Sequence, residues 1–365
     1  MIIHSSRLTG TLAPGEGNPR NSEEAFLPLE DGRIAFAYSR FIGDSWSDEA
    51  ASCIAVVYSS DNGLSWNTEN PEILVRAEEY GHKNVMSVSL VRMNNGDIGL
   101  FYGQKYDGEM RDCYWLRRYK GDFSHPCGEL CCLPTDCPGY YVVNNDRVVR
   151  LSDGRWLIPA AHHPSSVVPG SSGGEWLDLR GTAVFYISDD DGTTWRHTHA
   201  RLNYPFDRSS TGLQEPGVLE LPSGTLYGYF RTDGGYQYES VSIDRGESWF
   251  PPRPSQFTAP ESPMLIKKNP YSGKYYAVWN PIPNGPWRKA SPYSWGRTPL
   301  VMAESEDGVH FGEAVMIEDD PERGFCYPAM FFLSDTELLL AYCCGGKEDG
   351  SVLSRTGIRK IMLEG

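Results

Sequence analysis

One phrase of apolar and polar positions recurs six times along the chain. An alternating apolar run leads into a polar turn, usually with glycine, and then into a second alternating run that ends on a polar side chain. It reads FLPLEDGRIAFAYSR at 26–40, SVSLVRMNNGDIGLFYGQK at 87–105 and DRVVRLSDGRWLIPAAHH at 146–163. It returns as PGVLELPSGTLYGYFR at 216–231, PMLIKKNPYSGKYYAVWN at 263–280 and PAMFFLSDTELLLAYCC at 328–344. Period-two alternation with β-branched and aromatic residues in the runs predicts strands throughout. A further strand is expected at 357–363, after the last phrase, and residues 1–15 are expected to pair with that last unit, which removes an open sheet edge. No linker or break in composition divides the sequence, so residues 1–365 read as a single domain.

A second signature follows several of these phrases, S-x-D-x-G-x-[ST]-W. It stands at 59–66 (SSDNGLSW), 188–195 (SDDDGTTW) and 242–249 (SIDRGESW), with a copy one residue shorter at 305–311 (SEDGVHF). The Asp and Gly make a tight turn, the Asp side chain bonding its own backbone and the Gly taking φ > 0. The Ser/Thr hydroxyl closes the loop and the Trp packs beneath it. The octet is identified as the Asp-box, and it resembles the repeat of sialidases and related β-propellers. There it lies on the outer rim, so the resemblance makes Asp61, Asp190 and Asp244 structural. The box aspartates, Asp307 included, are separated by 129, 54 and 63 residues. A four-stranded blade takes roughly 40–60 residues, so the first interval holds two blades, with a decayed box at 117–123. The expected fold is all-β: a six-bladed β-propeller with Asp-box repeats.

Composition agrees with a turn-rich β protein: 12% aromatic residues, 38 Gly and 26 Pro. No apolar run of about 18 residues exists to span a membrane as a helix. The start, MIIHSSR, lacks a basic region followed by an apolar one, so no signal peptide and a cytoplasmic location are expected. A net charge of −15 argues against nucleic acid and anionic membranes as partners. It leaves an acidic sugar open, because distant surface charge is screened within about 8–10 Å and a few local arginines decide binding. Of nine cysteines, Cys127, Cys131, Cys132 and Cys137 cluster in one loop without the C-x2-C spacing of a zinc knuckle. They are expected to be reduced thiols, and Cys343–Cys344 core packing. No metal and no cofactor is expected.

In a propeller the start of each first strand and the end of each second strand face the central opening. Those positions hold Arg20, Asn84, Asn144, Asn145, Asp146, Glu215, Ser262 and Tyr327, together with Arg40, Lys105, His162, His163, Arg231 and Asn280. Arg297 enters before the third strand of the fifth unit. Several Arg with a Glu, an Asp and a Tyr suggest an enclosed pocket that binds anions and moves protons.

At these residues the chain resembles the exo-sialidases. Glu215 precedes Arg231 by 16 residues, Arg297 precedes Tyr327 by 30, and Tyr327 opens the strand YPAMFFLSD. AFAYSR at 35–40 is similar to the family's A-F-A-E-x-R, and Asp48 stands five residues before CIAVVY at 53–58. The family's R-I-P at the first arginine is replaced by Arg20-Asn21-Ser22-Glu23-Glu24. The resemblance implies a retaining glycosidase with Tyr327 as nucleophile, Glu215 as its base and Asp48 as acid/base, with Asp44 the rival for that last role. Arg20, Arg40, Arg231 and Arg297 would hold the carboxylate of a terminal sialic acid, and His162 and His163 would shape the pocket's sugar side. Two alternatives stay open: a propeller hydrolase or lyase acting on another acidic sugar, uronic or ulosonic, and a non-catalytic carbohydrate-binding propeller.

Overall fold

The computed structural model describes residues 1–80, 84–105, 113–133, 139–166, 176–285, 288 and 290–364. Six antiparallel sheets follow one another in sequence order. Blade one comprises Asn21–Pro28, Ile34–Phe41, Ser52–Ser59 and Glu72–Arg76; blade two, Asn84–Arg92, Ile98–Lys105, Cys113–Tyr119 and Pro126–Cys131. In blade three the inner strand is broken into Gly139–Val142 and Val149–Arg150, both paired with Trp156–Ser166, and Thr182–Ser188 and Arg196–Leu202 follow. Blade four is Gln214–Glu220, Leu226–Arg231, Tyr236–Ser242 and Arg253–Thr258, and blade five is Leu265–Lys268, Tyr275–Trp279, Leu300–Ser305 and Val315–Glu318. Blade six is Cys326–Phe332, Glu337–Cys343 and Thr356–Leu363, completed by the N-terminal strand Ile3–Leu12. That strand runs antiparallel to the C-terminal one, Leu12 opposite Thr356 and Ile3 opposite Leu363, so chain closure protects the last edge as expected. No helix among the described residues is long and apolar enough to cross a membrane.

The apolar core is divided among the six gaps between neighbouring blades. Between blades one and two, Ala25, Ala37, Ile54 and Val75 meet Val88, Leu100 and Tyr119; between blades six and one, Ala329, Leu339 and Ile358 meet Phe26 and Phe36. The other four gaps are filled in the same way. Alanines such as Ala37, Ala161, Ala277 and Ala341 are fully buried on the inner two strands, where six sheets converge and little volume is available per residue.

Each Asp-box folds as its sequence implies. Ser59 Oγ accepts from Gly63 N at 2.8 Å, and Asp61 accepts from Ser65 N at 2.9 Å and Ser65 Oγ at 2.6 Å. The same bonds recur at Ser188–Asp190–Thr194 and Ser242–Asp244–Ser248. In the short copy His310 replaces the hydroxyl residue, its Nδ1 lying 2.7 Å from Asp307. The boxes also join blades: Trp195 packs edge-on against Phe101 of blade two, and Trp249 stacks on Phe185 of blade three at 4.4 Å. Gly192 sits so close to Met93 and Leu116 of blade two, at φ +77°, that a Cβ there would crowd both.

One sequence expectation changes. Cys131 is not a free thiol: it forms a disulfide with Cys113, Cα–Cα 6.4 Å, because these residues end adjacent paired strands of blade two. Cys127 and Cys132 are free thiols, Cys343 is buried as core packing, and Cys137 lies outside the described residues.

Candidate active site

A repeated backbone device aims side chains at the axis. In blades one, two, four and six the inner strand carries one extra residue relative to its neighbour, between Ser22 and Ala25, Met86 and Ser89, Gln214 and Gly217, and Cys326 and Ala329. The residue that opens each bulge has a left-handed backbone: Glu23 (φ 58°), Ser87 (φ 63°), Glu215 (φ 45°) and Tyr327 (φ 54°). Positive φ is uncommon in residues other than glycine and concentrates at functional sites. All four side chains border one cavity of about 580 Å3 at that end of the axis.

Within this cavity a tyrosine is hydrogen-bonded to a glutamate. Tyr327 Oη donates to Glu215 Oε1 at 2.8 Å, although the two stand 112 residues apart. Arg231 Nη1 donates to the same Glu215 oxygen at 2.7 Å, and its Nη2 donates to Glu261 at 2.7 Å. The Arg297 guanidinium lies 5.5 Å from the Tyr327 ring centre and 5.2 Å from that of Trp295. Arg297 is only 4% exposed and makes no ion pair among the described residues; its Nη1 donates to Cys326 Sγ at 3.3 Å. Burial, and then the charge of Glu215, push the Tyr327 hydroxyl well above its ordinary pKa. At neutral pH it is therefore a protonated phenol, hydrogen-bonded to Glu215.

A second cluster sits across the cavity on blade one. Arg20, fully buried, donates from Nη1 to Asp48 at 2.5 Å and to Trp46 O at 3.1 Å, from Nη2 to Glu23 at 2.9 Å, and from Nε to Ser22 Oγ at 2.7 Å. Glu23 also accepts from Ser87 Oγ at 2.9 Å. Burial, only partly offset by Arg20, pushes the Glu23 carboxyl up to about 7. Asp48 is about half exposed. What burial it has pushes its carboxyl up, but the charges of Arg20, Lys105 and Arg297 and the Arg20 hydrogen bond outweigh that and hold it below its ordinary value. The rings of Trp46 and Trp295, 6.1 Å apart and partly exposed, form an aromatic lip.

The BNR repeat-like domain matches residues 45–340, most of the chain. The chain belongs to the BNR repeat-like family. No curated protein matches it. Among solved structures, a protein of unknown function from Dyadobacter fermentans is similar over 99% of this chain and 100% of its own, at 16% identity and a TM-score of 0.73. A Hadza microbial sialidase is similar at 15% identity and a TM-score of 0.71, covering 93% of this chain and 65% of that one. A leech intramolecular trans-sialidase, solved with 2,7-anhydro-Neu5Ac, is similar at 13% identity and 0.71, over 98% and 70%. At these identities the likeness concerns the fold, the six-bladed propeller of sialidases.

Within this BNR repeat-like fold, six of the residues given catalytic or carboxylate-binding roles from sequence meet in one place. Tyr327, Glu215, Asp48, Arg20, Arg231 and Arg297 all border the cavity. Arg40 does not; it acts on Tyr38 and Cys53, where its charge and hydrogen bonding oppose their burial. Asp44 is also absent from the lining and is exposed, which separates it from Asp48. His162 yields its place to His163. Successive strand residues face opposite sides, so His162 stacks on Tyr141 at 4.4 Å while His163 borders the cavity, its Nδ1 3.2 Å from Asp178 O. Of the two carboxylates that replace the R-I-P motif, Glu23 points inward. Glu24 is buried away from the cavity, and burial holds it well above its usual value. Glu261 was missed: nothing in Pro260-Glu261-Ser262-Pro263 signals a partner for Arg231. Among the described residues no group of three or more His, Cys, Asp or Glu is arranged to hold a metal ion.

Proposed function

We propose that this protein is a retaining glycoside hydrolase of the exo-sialidase type, releasing a terminal nonulosonic acid from an oligosaccharide or glycoconjugate. The observation that carries this reading is the 2.8 Å hydrogen bond from Tyr327 to Glu215, bracketed by Arg231 and Arg297. A binding protein has no need of a base held against a phenol. The sialidases among structures of like fold support the same reading.

The chemistry follows from charge. The anomeric carbon of a sialoside bears a carboxylate, which repels a carboxylate nucleophile but not a neutral tyrosine. As the Tyr327 oxygen bonds to that carbon, Glu215 takes the phenol proton, the glycosidic C–O bond breaks, and Asp48 gives its proton to the departing oxygen. In the second half Asp48 takes a proton from water, the water oxygen replaces Tyr327 at carbon, and Glu215 returns the proton to the phenolate. Two inversions leave the configuration retained. Arg20 and its neighbours hold the Asp48 carboxyl below its ordinary pKa. A substrate carboxylate entering among Arg231, Arg297 and Arg20 offsets that positive field and raises the Asp48 pKa toward the acid role.

One observation favours a second reading, hydrolysis of a different acidic sugar. Four of the five Arg20 N–H donors already have protein partners, so Arg20 offers little to a ligand. A clamp resting mainly on Arg231 and Arg297 also suits a uronic acid. A panel of fluorogenic sialic, deaminated sialic and uronic glycosides separates the two. Turnover of the sialosides, lost in both Tyr327→Phe and Glu215→Gln without the two losses adding, supports the sialidase reading. Turnover of the uronoside alone favours the second, and near-full activity of Tyr327→Phe on the best substrate overturns the mechanism.

A further inference from the structure

The inner strand of blade four runs from the candidate active site to the opposite end of the axis. Glu215, near its start, borders the first cavity; Val218, Leu219 and Glu220 border a second, of about 480 Å3. At about 3.3 Å per residue, Glu215 and Glu220 lie on the order of 16 Å apart along the strand. Blade three shows the same division. Asn144 borders the first cavity and Asp146 the second. Asn145, between them, donates to Glu24 O, Tyr327 O and Pro328 O and so crosses the axis to blades one and six.

Charge is distributed unevenly in the second cavity. Its carboxylates are already engaged: Asp146 accepts from Lys267 at 2.6 Å, and Glu220 accepts from Ser152 N at 2.6 Å and Ser152 Oγ at 2.7 Å. Arg147, Arg150 and Lys268 border the same space and make no ion pair among the described residues. Arg147 is the telling case. It is 2% exposed, with Nη2 bonded to Met264 O and the guanidinium 5.4 Å from the Tyr229 ring centre, while Nε and Nη1 have no hydrogen-bond partner. Nε and Nη1 are themselves shielded from solvent, so Arg147 acts on the hollow through its uncompensated charge rather than through a direct contact. Three cations without a carboxylate partner among the described residues therefore give this hollow a positive field in a chain of net charge −15.

We propose that this second cavity binds an organic anion of monosaccharide size, a sugar carboxylate or a sugar phosphate, contacted by Arg150 and Lys268 and drawn by the buried charge of Arg147. The volume lies within the roughly 300–1,000 Å3 range of small-molecule sites and exceeds what an inorganic ion fills. The site is independent of the proposed hydrolysis, so either can fail alone. The test is calorimetric titration of the full chain carrying Arg297→Ala, which disables the first cavity, with glucuronate, glucose 6-phosphate and inorganic phosphate. One sugar anion should bind at one equivalent, at least about tenfold more tightly than inorganic phosphate. Adding Arg150→Ala and Lys268→Ala, both exposed positions, should weaken it by about tenfold or more with melting temperature unchanged. The better of the two sugar anions identifies the acid group. Absence of binding by both sugars, equal binding of inorganic phosphate, or binding unaltered by the double substitution overturns the proposal.

Discussion

The rim and the axis of this propeller both repeat a left-handed turn, and they use it in opposite ways. On the rim, Asn62–Gly63, Asp191–Gly192 and Arg245–Gly246 take positive φ inside turns whose hydrogen bonds are nearly identical from blade to blade. Sequence and conformation are kept together, and the product is packing of each blade against the one before. At the axis the bulge conformation is kept while the residue changes, Glu23, Ser87, Glu215 and Tyr327. Uniform backbone then presents two carboxyl groups, a hydroxyl and a phenol to one cavity. Repetition stabilises the rim and diversifies the axis, at a cost of about 1–3 kcal/mol for each strained non-glycine residue.

The comparison breaks first, if it breaks, at the axis. Arg297→Ala should lower kcat/KM for the best acidic glycoside by about 2–5 kcal/mol of transition-state binding, with the melting temperature little changed. A fall in stability without a fall in kcat/KM would make Arg297 a packing residue. The rim predicts the reverse. Asp190→Ala removes the bonds to Thr194 and Ser188 and should cost about 1–3 kcal/mol of stability, read as a drop of a few degrees in melting temperature, with kcat unaltered.

This division also explains how much could be read from sequence. Box, turn and blade count were legible because each box closes within eight residues. Of the candidate site, Glu215 and Tyr327 were reachable through their resemblance to a known pattern; their meeting across 112 residues is a property of ring closure. Face parity decided His163 over His162, and one register determines it. Arg40 ends its strand in the expected place yet turns toward Tyr38 and Cys53. Glu23 was visible as a departure from the R-I-P motif, but the bulge that turns it inward to Arg20 leaves no mark in the pattern. The Cys113–Cys131 bridge depends on strand pairing that Cys spacing alone does not encode.

Smaller effects sharpen the comparison. Glu23, whose carboxyl is raised to about 7, is neutral below that pH and anionic above it. Its negative charge should weaken binding of an acidic sugar, so KM should rise as pH passes through 7, and Glu23→Gln should remove that rise. The sign for stability is the same. The contribution of a raised carboxyl is complete below its unfolded pKa and is lost as pH rises through about 7, so the wild type should lose stability relative to Glu23→Gln across that window. A KM profile identical in the two proteins would remove Glu23 from ligand binding. Smallest of all, Arg40→Met should leave kcat/KM within about twofold, since Arg40 does not border the cavity.

The central claim is that one repeated bulge makes Tyr327 a nucleophile with Glu215 as its base. A mechanism-based fluorinated sialosyl donor, followed by digestion and mass analysis, reads it directly. The account predicts a covalent sugar adduct on Tyr327, formed much more slowly in Glu215→Gln and absent in Tyr327→Phe. An adduct on another residue, or hydrolysis of sialosides with no adduct and with inverted configuration, would contradict it.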